Sequence, residues 1–353
     1  MQKASKRAFI RKVKHITALF AALAFVFAAM SCAHQNDRSA QATREVFAMD
    51  TYMNVACYGK NAEKAADAAV SEIKRIDKLL SITSESGSIR NLNEKGSSNV
   101  GAETAGIIER ALDIHNKTGG AFDITVLPLM ELWGFTSGEY RVPVESELKA
   151  ALDGIGSEKL SVSGDEVSLG GALGIDLGGI AKGYTSDRLI ELFKEKGLTS
   201  ACVSLGGNVQ CLGTRSDGGA WRCGIVHPFH KDSGVYLGVI AVIDKAVITS
   251  GAYERNFTDE NGVRYHHIID PKTGYPAETG LASVTIVSES GILADALSTA
   301  CYIMGLEGAS AYWRNSAEQF DMILMTNDGR VYITDGIADS FTSDFEVNII
   351  KRA

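Results

Sequence analysis

The stretch GIDLGGIAKGYTSD, residues 174–187, combines three kinds of residue at one junction. An apolar, strand-like run leads to Asp176, a glycine pair follows, and Lys182 stands at the front of a helical pattern. One interpretation is structural: the glycines turn the chain and the charged side chains face water. The other is functional, because a glycine-rich turn that opens a helix brings backbone groups close to a phosphate. The rest of the chain has to decide between them.

The first residues have the order of a secretory signal peptide. A basic region precedes the apolar run ITALFAALAFVFAAM, residues 16–30, and Ser31 and Cys32 follow it. This order resembles a bacterial lipoprotein signal, which predicts a signal peptide over 1–31 and a lipid on Cys32. Met30 departs from the commonest such signal, and ordinary cleavage near Cys32 is the alternative. The polar tract 32–44 is predicted to be a tether and 45–353 the catalytic domain. We therefore expect an exported protein, anchored to the cell membrane and facing the periplasm or the exterior.

Removing the leader makes the chain strongly acidic. The formal net charge of the whole chain is −8, and the leader carries six positive charges and no acid, so the remainder has −8 − 6 = −14. Such a domain is a poor candidate for binding nucleic acid, which needs a basic surface. An anionic ligand would need local lysines, helix N-termini or a metal ion, and the many carboxylates make a metal ion the first hypothesis.

Five cysteines follow Cys32, and no CxxC pair occurs among them. The odd number and the spacing indicate neither a zinc site nor a complete set of disulfides. Most of them are predicted to be small buried side chains, as for Cys202 within the strand-like ACVSL.

Hydrophobic periodicity predicts strands and helices in mixed order. Alternation from Phe47 to Cys57 predicts a strand, and Asn61 is predicted to cap a helix that ends near Leu80. Further helices are predicted over about 103–117, 180–197 and 290–304. Strands are predicted at ACVSL, WRCGIV, LGVIAVI, YHHIID and ASVTIV, and hairpins at SVSGDEVSL and DMILMT-NDG-RVYIT. Because the elements do not alternate as βαβ units and no GxGxxG follows the first strand, the pattern favours an α+β fold over a doubly wound sheet.

Two short stretches offer oxygen donors and flexible backbone. In ADALSTA, Asp295 and Thr299 are four residues apart on a predicted helix and project from one face. Their hard oxygens suit Mg²⁺, although such pairs also occur on ordinary helix surfaces. In SLGGNVQ, a strand runs into Gly206, Gly207 and Asn208. This is either a plain turn or a place where backbone N–H groups approach a phosphate.

Two further stretches carry ionisable side chains beside apolar runs. In YHHIIDPKTGYP, His266 and His267 face opposite ways, so at most one shares a face with Ile269. A structural role is the alternative for either histidine. GAFDITVLPLMELWGF has Asp123 within a buried apolar segment, where a turn or a helix cap is the alternative to a binding role.

Taken in order along the chain, these stretches resemble the ApbE family of FAD:protein FMN transferases. The resemblance covers about Val46 to Thr334, nearly the whole domain. It rests on seven ordered blocks: MDTYM, DKLLS with SIRNLN, GAFDIT with PLMELWGF, IDLGGIAKGY, SLGGN, HHIIDPKTGYP and ADALSTA.

The resemblance implies a Mg²⁺-dependent enzyme, with Mn²⁺ as a second possible metal. Such enzymes cleave the diphosphate of FAD, transfer FMN to a threonine or serine hydroxyl of an acceptor protein, and release AMP. The implied acceptors are flavoprotein subunits of membrane electron-transfer complexes. The implied metal ligands are Asp295, Thr299 and the backbone carbonyl of Gly179. Either Asp295 or His267 is implied as the base that deprotonates the incoming hydroxyl. The implied FAD contacts are Met49, Ala121, Phe122, Asp123, Asp176, Lys182, Gly206, Gly207, Asn208 and Ile269.

Two departures from the family pattern affect the expected chemistry. Asp50 replaces the glycine of the family's MGT block, and Thr83 stands near the place where many members have an aromatic residue that stacks on FAD. Loss of that ring leaves room for water at the diphosphate, so hydrolysis of FAD to FMN and AMP is an alternative to transfer. A lipoprotein that only binds FAD is the third hypothesis.

Overall fold

The described part of the chain is built on one large, mostly antiparallel sheet. A computed structural model describes residues 41–352. The sheet has nine strands, and only one of its neighbouring pairs is parallel. Three small sheets accompany it, two with three strands and one with two. The mixed order of helices and largely antiparallel strands confirms the predicted α+β class.

The described residues contain seventeen strands and seven α-helices. The strands are β1 Gln41–Ala48, β2 Thr51–Tyr58, β3 Ser97–Asn99, β4 Ser161–Ser163, β5 Glu166–Ser168, β6 Ser200–Leu205, β7 Asn208–Gly213, β8 Trp221–Val226, β9 Tyr236–Val242, β10 Ala246–Gly251, β11 Asn256–Thr258, β12 Arg264–His266, β13 Leu281–Ser288, β14 Phe320–Thr326, β15 Val331–Thr334, β16 Phe341–Thr342 and β17 Val347–Ile350. The helices are α1 Ala62–Leu80, α2 Ser88–Lys95, α3 Ala102–Lys117, α4 Leu127–Leu132, α5 Glu145–Asp153, α6 Ala181–Glu195 and α7 Gly291–Asn315. The strand order in the large sheet is β1-β2-β6-β7-β10-β13-β14-β15-β17, with β15 and β17 as the parallel pair. The small sheets have the orders β8-β9-β16, β3-β5-β4 and β11-β12.

The two faces of the large sheet are covered by different layers. Helices α1, α6 and α7 pack on one face, and the small sheet β8-β9-β16 packs on the other. The interior strand β13 is buried at all eight positions because both of its faces are covered. Its sequence LASVTIVS is accordingly apolar or small throughout instead of alternating.

The long helix α7 contains a sharp kink at Gly305, whose backbone has φ 71° and ψ 177°. The helix predicted over about 290–304 therefore corresponds to the segment before the kink. The structure also changes the predicted role of Asn61. It stands at the predicted N-cap position of α1, but its side chain does not cap the helix; it donates a hydrogen bond to the carbonyl of Lys196 at 2.8 Å.

The N-terminal predictions are only partly within the described residues. The signal peptide 1–31, the lipidated Cys32 and most of the tether 32–44 lie outside them. Residues 41–44, assigned to the tether, instead begin β1 and pair with β2. The alternation that sets this register starts with the small, buried Ala42, which carried too little hydrophobic signal to mark a strand. No helix within residues 41–352 combines the length and the hydrophobicity needed to cross a membrane.

Candidate functional site

A cavity of about 350 Å³ opens where the N-terminus of α6, the first turns of α7 and the β6–β7 turn meet. Its size is typical of a small-molecule site. Thirteen of the predicted site residues line it: Met49, Ala121, Phe122, Asp123, Asp176, Gly179, Lys182, Gly206, Asn208, His267, Ile269, Asp295 and Thr299. Gly207 does not line it; this residue lies exposed in the turn between Gly206 and Asn208. Its backbone, with φ of 95°, serves the turn itself.

Helices α6 and α7 cross in close contact next to the cavity. A Cβ atom on Gly183 would lie 2.2 Å from the carbonyl oxygen of Gly291 and 2.6 Å from the Cβ of Asp295. Only a glycine therefore allows this approach, and the Gly183 N–H donates to Asp295 Oδ2 at 2.8 Å. The glycine-rich stretch that opens α6 thus turns the chain and also positions the carboxylate of Asp295 on α7.

Asp295 is held on its other side by the β6–β7 hairpin. Its Oδ1 atom accepts a hydrogen bond from Asn208 Nδ2 at 2.9 Å, and the carboxylate is only 4 % exposed. Gly206 has φ of 63° in the same turn, and a Cβ there would lie 2.5 Å from Thr51 Oγ1. Two hydrogen bonds thus orient the carboxylate and leave about two of its four lone-pair positions for a ligand.

The three predicted metal ligands lie close together. Thr299 follows Asp295 by one helical turn, and its Oγ1 lies 3.3 Å from Ser250 Oγ. A Cβ atom on Gly179 would lie 4.0 Å from Thr299 Oγ1 and 3.1 Å from the Phe122 ring, so a side chain there would fill the space between them. Within residues 41–352 no group of three His, Cys, Asp or Glu residues could hold a metal. A carboxylate, a hydroxyl and a backbone carbonyl are instead the hard oxygen donors that suit Mg²⁺, and the residues present fit that ion.

The glycine pair of the opening stretch lies close to its neighbours: a Cβ on Gly178 would lie 3.2 Å from Asp176 Oδ1, and one on Gly179 would lie 3.1 Å from the Phe122 ring. Neither Gly178 nor Gly179 has a positive φ. Asp176 Oδ1 accepts the Gly178 N–H at 2.8 Å and so closes the turn. Burial raises the pKa of Asp176, and Lys182, which also lines the cavity, is one of the cations that oppose this shift. The structural and the functional interpretation of this junction are therefore compatible: Asp176 closes the turn and also faces the cavity.

Asp123 is anchored by a dense set of hydrogen bonds. Its Oδ1 accepts from Thr125 N at 2.8 Å, Thr125 Oγ1 at 2.6 Å and Ser157 Oγ at 2.7 Å. Its Oδ2 lies 3.2 Å from His115 Nδ1. Burial opposes ionisation, but the bonds from His115 and Thr125 outweigh it and lower the pKa of Asp123. The capping role considered for this residue is present in the structure, together with its place in the cavity wall.

The two histidines separate as the alternation predicts. His266 is buried, and its ring lies edge-on to that of Tyr302. His267 faces the cavity, and its Nδ1 lies 3.1 Å from the carbonyl oxygen of Arg255. Burial, and then the charge of Arg255, lower the pKa of His267 to about 3. His267 and Asp295 both line the cavity, so both remain candidates for the base.

The β1–β2 turn forms one rim of the cavity. Met49 and Asp50 both have positive φ, 48° and 57°, and Met49 N donates to Asp77 Oδ1 at 3.0 Å. A tight hairpin turn with two such residues normally uses glycine or asparagine. Asp50 therefore occupies a position whose backbone favours glycine.

A second cavity of about 380 Å³ adjoins the first and shares several wall residues with it. Thr83 lines this second space, and its hydroxyl lies 3.1 Å from Ser81 Oγ. Phe47 and Phe135 are the aromatic side chains of its wall. The small threonine thus borders open space next to the predicted diphosphate position.

Several wall residues were not found from the sequence. Arg255 lines both cavities and is the second cationic side chain there besides Lys182; its guanidinium donates to the carbonyl of Phe135 at 2.5 Å. Thr249 and Ser250 come from β10, whose sequence AVITSG was not predicted as a strand. Arg255 stands in an irregular segment after β10, and no local pattern distinguishes it from a surface arginine.

Oxygen donors at a helix crossing, two cationic side chains and a glycine turn are typical of enzymes that act on phosphorylated ligands. That is the class that the fold and the cavity define. The chain belongs to the ApbE family, whose model matches residues 49–324.

The chain is similar to named relatives over most of its length. It is 34% identical to the FAD:protein FMN transferase of Treponema pallidum (strain Nichols), covering 84% of this chain and 88% of that protein. The ApbE protein from Thermotoga maritima has a crystal structure that superposes with a TM-score of 0.77 at 33% identity, covering 83% of this chain and 96% of that one. Flavin Transferase ApbE from Vibrio cholerae superposes with a TM-score of 0.75 at 29% identity, covering 86% and 99%.

Proposed function

We propose that this protein transfers FMN from FAD to a threonine or serine hydroxyl of an acceptor protein and releases AMP. Membership of the ApbE family and similarity to proteins named FAD:protein FMN transferase support this activity. The observation that carries it within this chain is the convergence of Asp295, Thr299 and Gly179 beside Lys182 in one cavity. Such a group meets the main demand of phosphoryl transfer, which is neutralising charge on a diphosphate.

A divalent cation, Mg²⁺ or Mn²⁺, would be held by Asp295, Thr299 and the carbonyl of Gly179. When bound, it would neutralise the charge that develops on the diphosphate oxygens. Lys182 and Arg255 would add positive charge on the cavity wall. The proposed FAD contacts are the residues of the family resemblance that line the cavity: Met49, Ala121, Phe122, Asp123, Asp176, Lys182, Gly206, Asn208 and Ile269.

The residues of the chain would position the reaction and take up one proton. The hydroxyl oxygen of the acceptor forms a bond to the phosphorus of the FMN part, and the bond from that phosphorus to the bridging oxygen breaks. AMP leaves with the bridging oxygen. The hydroxyl proton passes to the carboxylate of Asp295, which the N–H of Gly183 and the amide of Asn208 hold in place. His267, which also lines the cavity, is the second candidate base.

Hydrolysis of FAD to FMN and AMP is the second candidate function. The observation that favours it is the open second cavity beside Thr83, where a small side chain leaves room for water. In that reaction a water molecule replaces the acceptor hydroxyl. The proposed metal ligands, the cationic side chains and the base have the same roles as in transfer.

The cellular setting is part of the proposal. The basic and apolar leader and Cys32 support an exported lipoprotein, anchored to the membrane and facing the periplasm or exterior. Flavoprotein subunits of membrane electron-transfer complexes would then be within reach as acceptors.

The test is to incubate the full-length chain with FAD and Mg²⁺, with and without an acceptor domain that carries a threonine. AMP, free FMN and flavin fluorescence on the acceptor are followed. Labelled acceptor with AMP and little free FMN supports transfer. AMP with free FMN regardless of acceptor supports hydrolysis, and intact bound FAD rejects both and leaves a binding protein.

Two controls locate the chemistry. Addition of EDTA should stop AMP release, because the oxygen donor set of this site needs a cation. Asp295→Asn should reduce both metal affinity and rate, whereas Asp113→Asn on the surface of α3 should change neither. Full metal affinity and full rate in Asp295→Asn would remove this residue from both roles.

A further inference from the structure

Three of the five cysteines among residues 41–352 lie together on one face of the large sheet. Cys202 on β6, Cys211 on β7 and Cys223 on β8 belong to the layer between the large sheet and the small sheet β8-β9-β16. Cys57 lies on the opposite, helix-covered face, and Cys301 lies in the core around α7. The number and spacing of the cysteines in the sequence did not indicate that three of the thiols lie together and the other two lie apart.

Cys202 and Cys211 are direct cross-strand neighbours in the β6–β7 hairpin. The register pairs them with each other, and their Sγ atoms are 3.4 Å apart. The N–H of Cys211 points away from β6 and donates to the carbonyl of Lys245 at 3.0 Å. The two cysteines therefore form a non-hydrogen-bonded pair, in which Cα atoms are about 4.5 Å apart and side chains approach closely.

This spacing is suitable for a disulfide. Disulfides join residues whose Cα atoms are about 4.4–6.8 Å apart, with an S–S bond of about 2.0 Å. The Sγ atoms at 3.4 Å would have to approach by about 1.4 Å, which small rotations about the two Cα–Cβ bonds supply. The hairpin backbone already holds the two residues in register, so bond formation needs no rearrangement of the sheet.

Cys223 is the competing partner, because it packs in the same buried cluster as Cys211. It belongs to a different sheet, so no strand register aligns it with Cys211. Cys223 and Cys211 are both buried, whereas Cys202 is half-buried and is the thiol that a reagent from solvent reaches first. Cys211 is shielded from solvent, so this thiol is the second to react. The contact with Cys202 also raises the pKa of Cys211.

We propose that Cys202 and Cys211 form a reversible cross-strand disulfide by exchange with an external disulfide. The Cys202 thiolate attacks one sulfur of the external disulfide, forms a mixed disulfide and releases one thiol. Cys211 then attacks the Cys202 sulfur and releases the second thiol. The two protein thiols are oxidised by two electrons, the external disulfide is reduced to two thiols, and the two thiol protons end on the released thiols.

The disulfide would stabilise a hairpin that supports the cavity. The turn between β6 and β7 carries Asn208, whose amide holds Asp295. On β7, Gln210 next to Cys211 donates to Asp187 Oδ1 at 2.8 Å, and Asp187 in turn accepts the N–H of Gly291 at the start of α7. A covalent link across the hairpin restricts the opening of this segment. Oxidation should therefore slow hydrogen exchange at the backbone N–H of Asn208.

The test is to equilibrate the full-length chain in oxidised and reduced glutathione at several ratios, block free thiols with N-ethylmaleimide and digest with trypsin. Cys202 and Cys211 fall on one tryptic peptide, residues 197–215, and Cys223 falls on residues 223–231. The expected product is peptide 197–215 without maleimide and lighter by two hydrogen atoms. Its amount should rise with the fraction of oxidised glutathione and disappear after dithiothreitol.

Single variants identify the pair. Cys223→Ala should still give the cyclised peptide, whereas Cys202→Ala should not. If a variant does not fold, the tryptic peptides of the wild-type chain are sufficient to identify the pair. A cross-link between peptides 197–215 and 223–231 would overturn the proposed pairing. Complete maleimide labelling of Cys202 and Cys211 at every glutathione ratio would overturn the disulfide itself.

Discussion

The substitution Asp123→Asn tests how the cavity wall is held together. Asparagine keeps an oxygen at the position of Oδ1, so the three hydrogen bonds from Thr125 and Ser157 Oγ can remain. It places an NH₂ group at the position of Oδ2. In the wild-type chain, Oδ2 accepts the Ser157 N–H at 3.3 Å and lies 3.2 Å from His115 Nδ1. In the variant, the new NH₂ group, itself a donor, therefore faces the two donors Ser157 N–H and His115 Nδ1.

The magnitude follows from these two lost contacts. A hydrogen bond that involves a charged group contributes about 1.5–3 kcal/mol, and a buried donor left without an acceptor costs about 1–3 kcal/mol. The bond from Ser157 N is long, so we place it at the low end. Together they predict a decrease of about 2–4 kcal/mol in the free energy of unfolding. This is a large part of the roughly 5–15 kcal/mol that stabilises a typical protein.

The predicted loss depends on pH because both partners titrate. The pKa of Asp123 is lowered in the folded state, so its contribution is present above the unfolded value of about 3.9 and is lost as pH falls through the folded value. Hydrogen bonding to Asp123 raises the pKa of His115. Its contribution is therefore present below the unfolded value of about 6.5 and is lost as pH rises through the folded value. The difference between wild type and variant should be largest between about pH 4 and 6.5.

The assay is urea unfolding of both proteins across this pH range, with the midpoint and the slope compared. Asp113→Asn is the matched control, because Asp113 makes exposed ion pairs with Arg110 and Lys117. Such pairs contribute about 0–1 kcal/mol. A loss in Asp123→Asn no larger than in the control, or a difference that does not change with pH, would refute the reasoning.

Three further substitutions test the helix crossing, the hairpin and the aromatic core, and a fourth, Gly106→Ala, is the control for the first. Gly183→Ala should force α6 and α7 apart and cost about 1–3 kcal/mol in unfolding free energy, with loss of AMP release, because the new Cβ meets the Cβ of Asp295 at 2.6 Å. Gly106→Ala in α3, where a Cβ meets nothing within 4 Å, should stabilise instead, and equal effects would contradict the packing argument. Asn208→Ala removes the amide 2.9 Å from Asp295 Oδ1, so urea unfolding should show a loss of about 1.5–3 kcal/mol together with slower AMP release; unchanged values would exclude the contact as a support. Trp133→Phe loses a buried Nε1–H donor to a loop carbonyl at 2.8 Å and should lower the thermal midpoint, an expectation that an unchanged midpoint would disprove.

The sequence by itself determined the fold class, most of the longer elements and one local arrangement of the site. The spacing of Asp295 and Thr299 places both on one helix face, because the helical repeat is set by backbone hydrogen bonds within the segment. Successive side chains of an extended segment point to opposite faces, so the sequence also predicted that His266 and His267 face opposite ways. These features depend only on residues that are close along the chain.

The tertiary structure alone decided which distant segments meet. Asn208 and Asp295 are 87 residues apart in sequence, and no local pattern pairs an amide with a carboxylate across that distance. Arg255 reaches the cavity from an irregular segment, and Cys202 faces Cys211 because the glycine turn sets the hairpin register. Local periodicity reports which side of an element is buried, whereas contacts between elements depend on strand order, register and the close approach of helices.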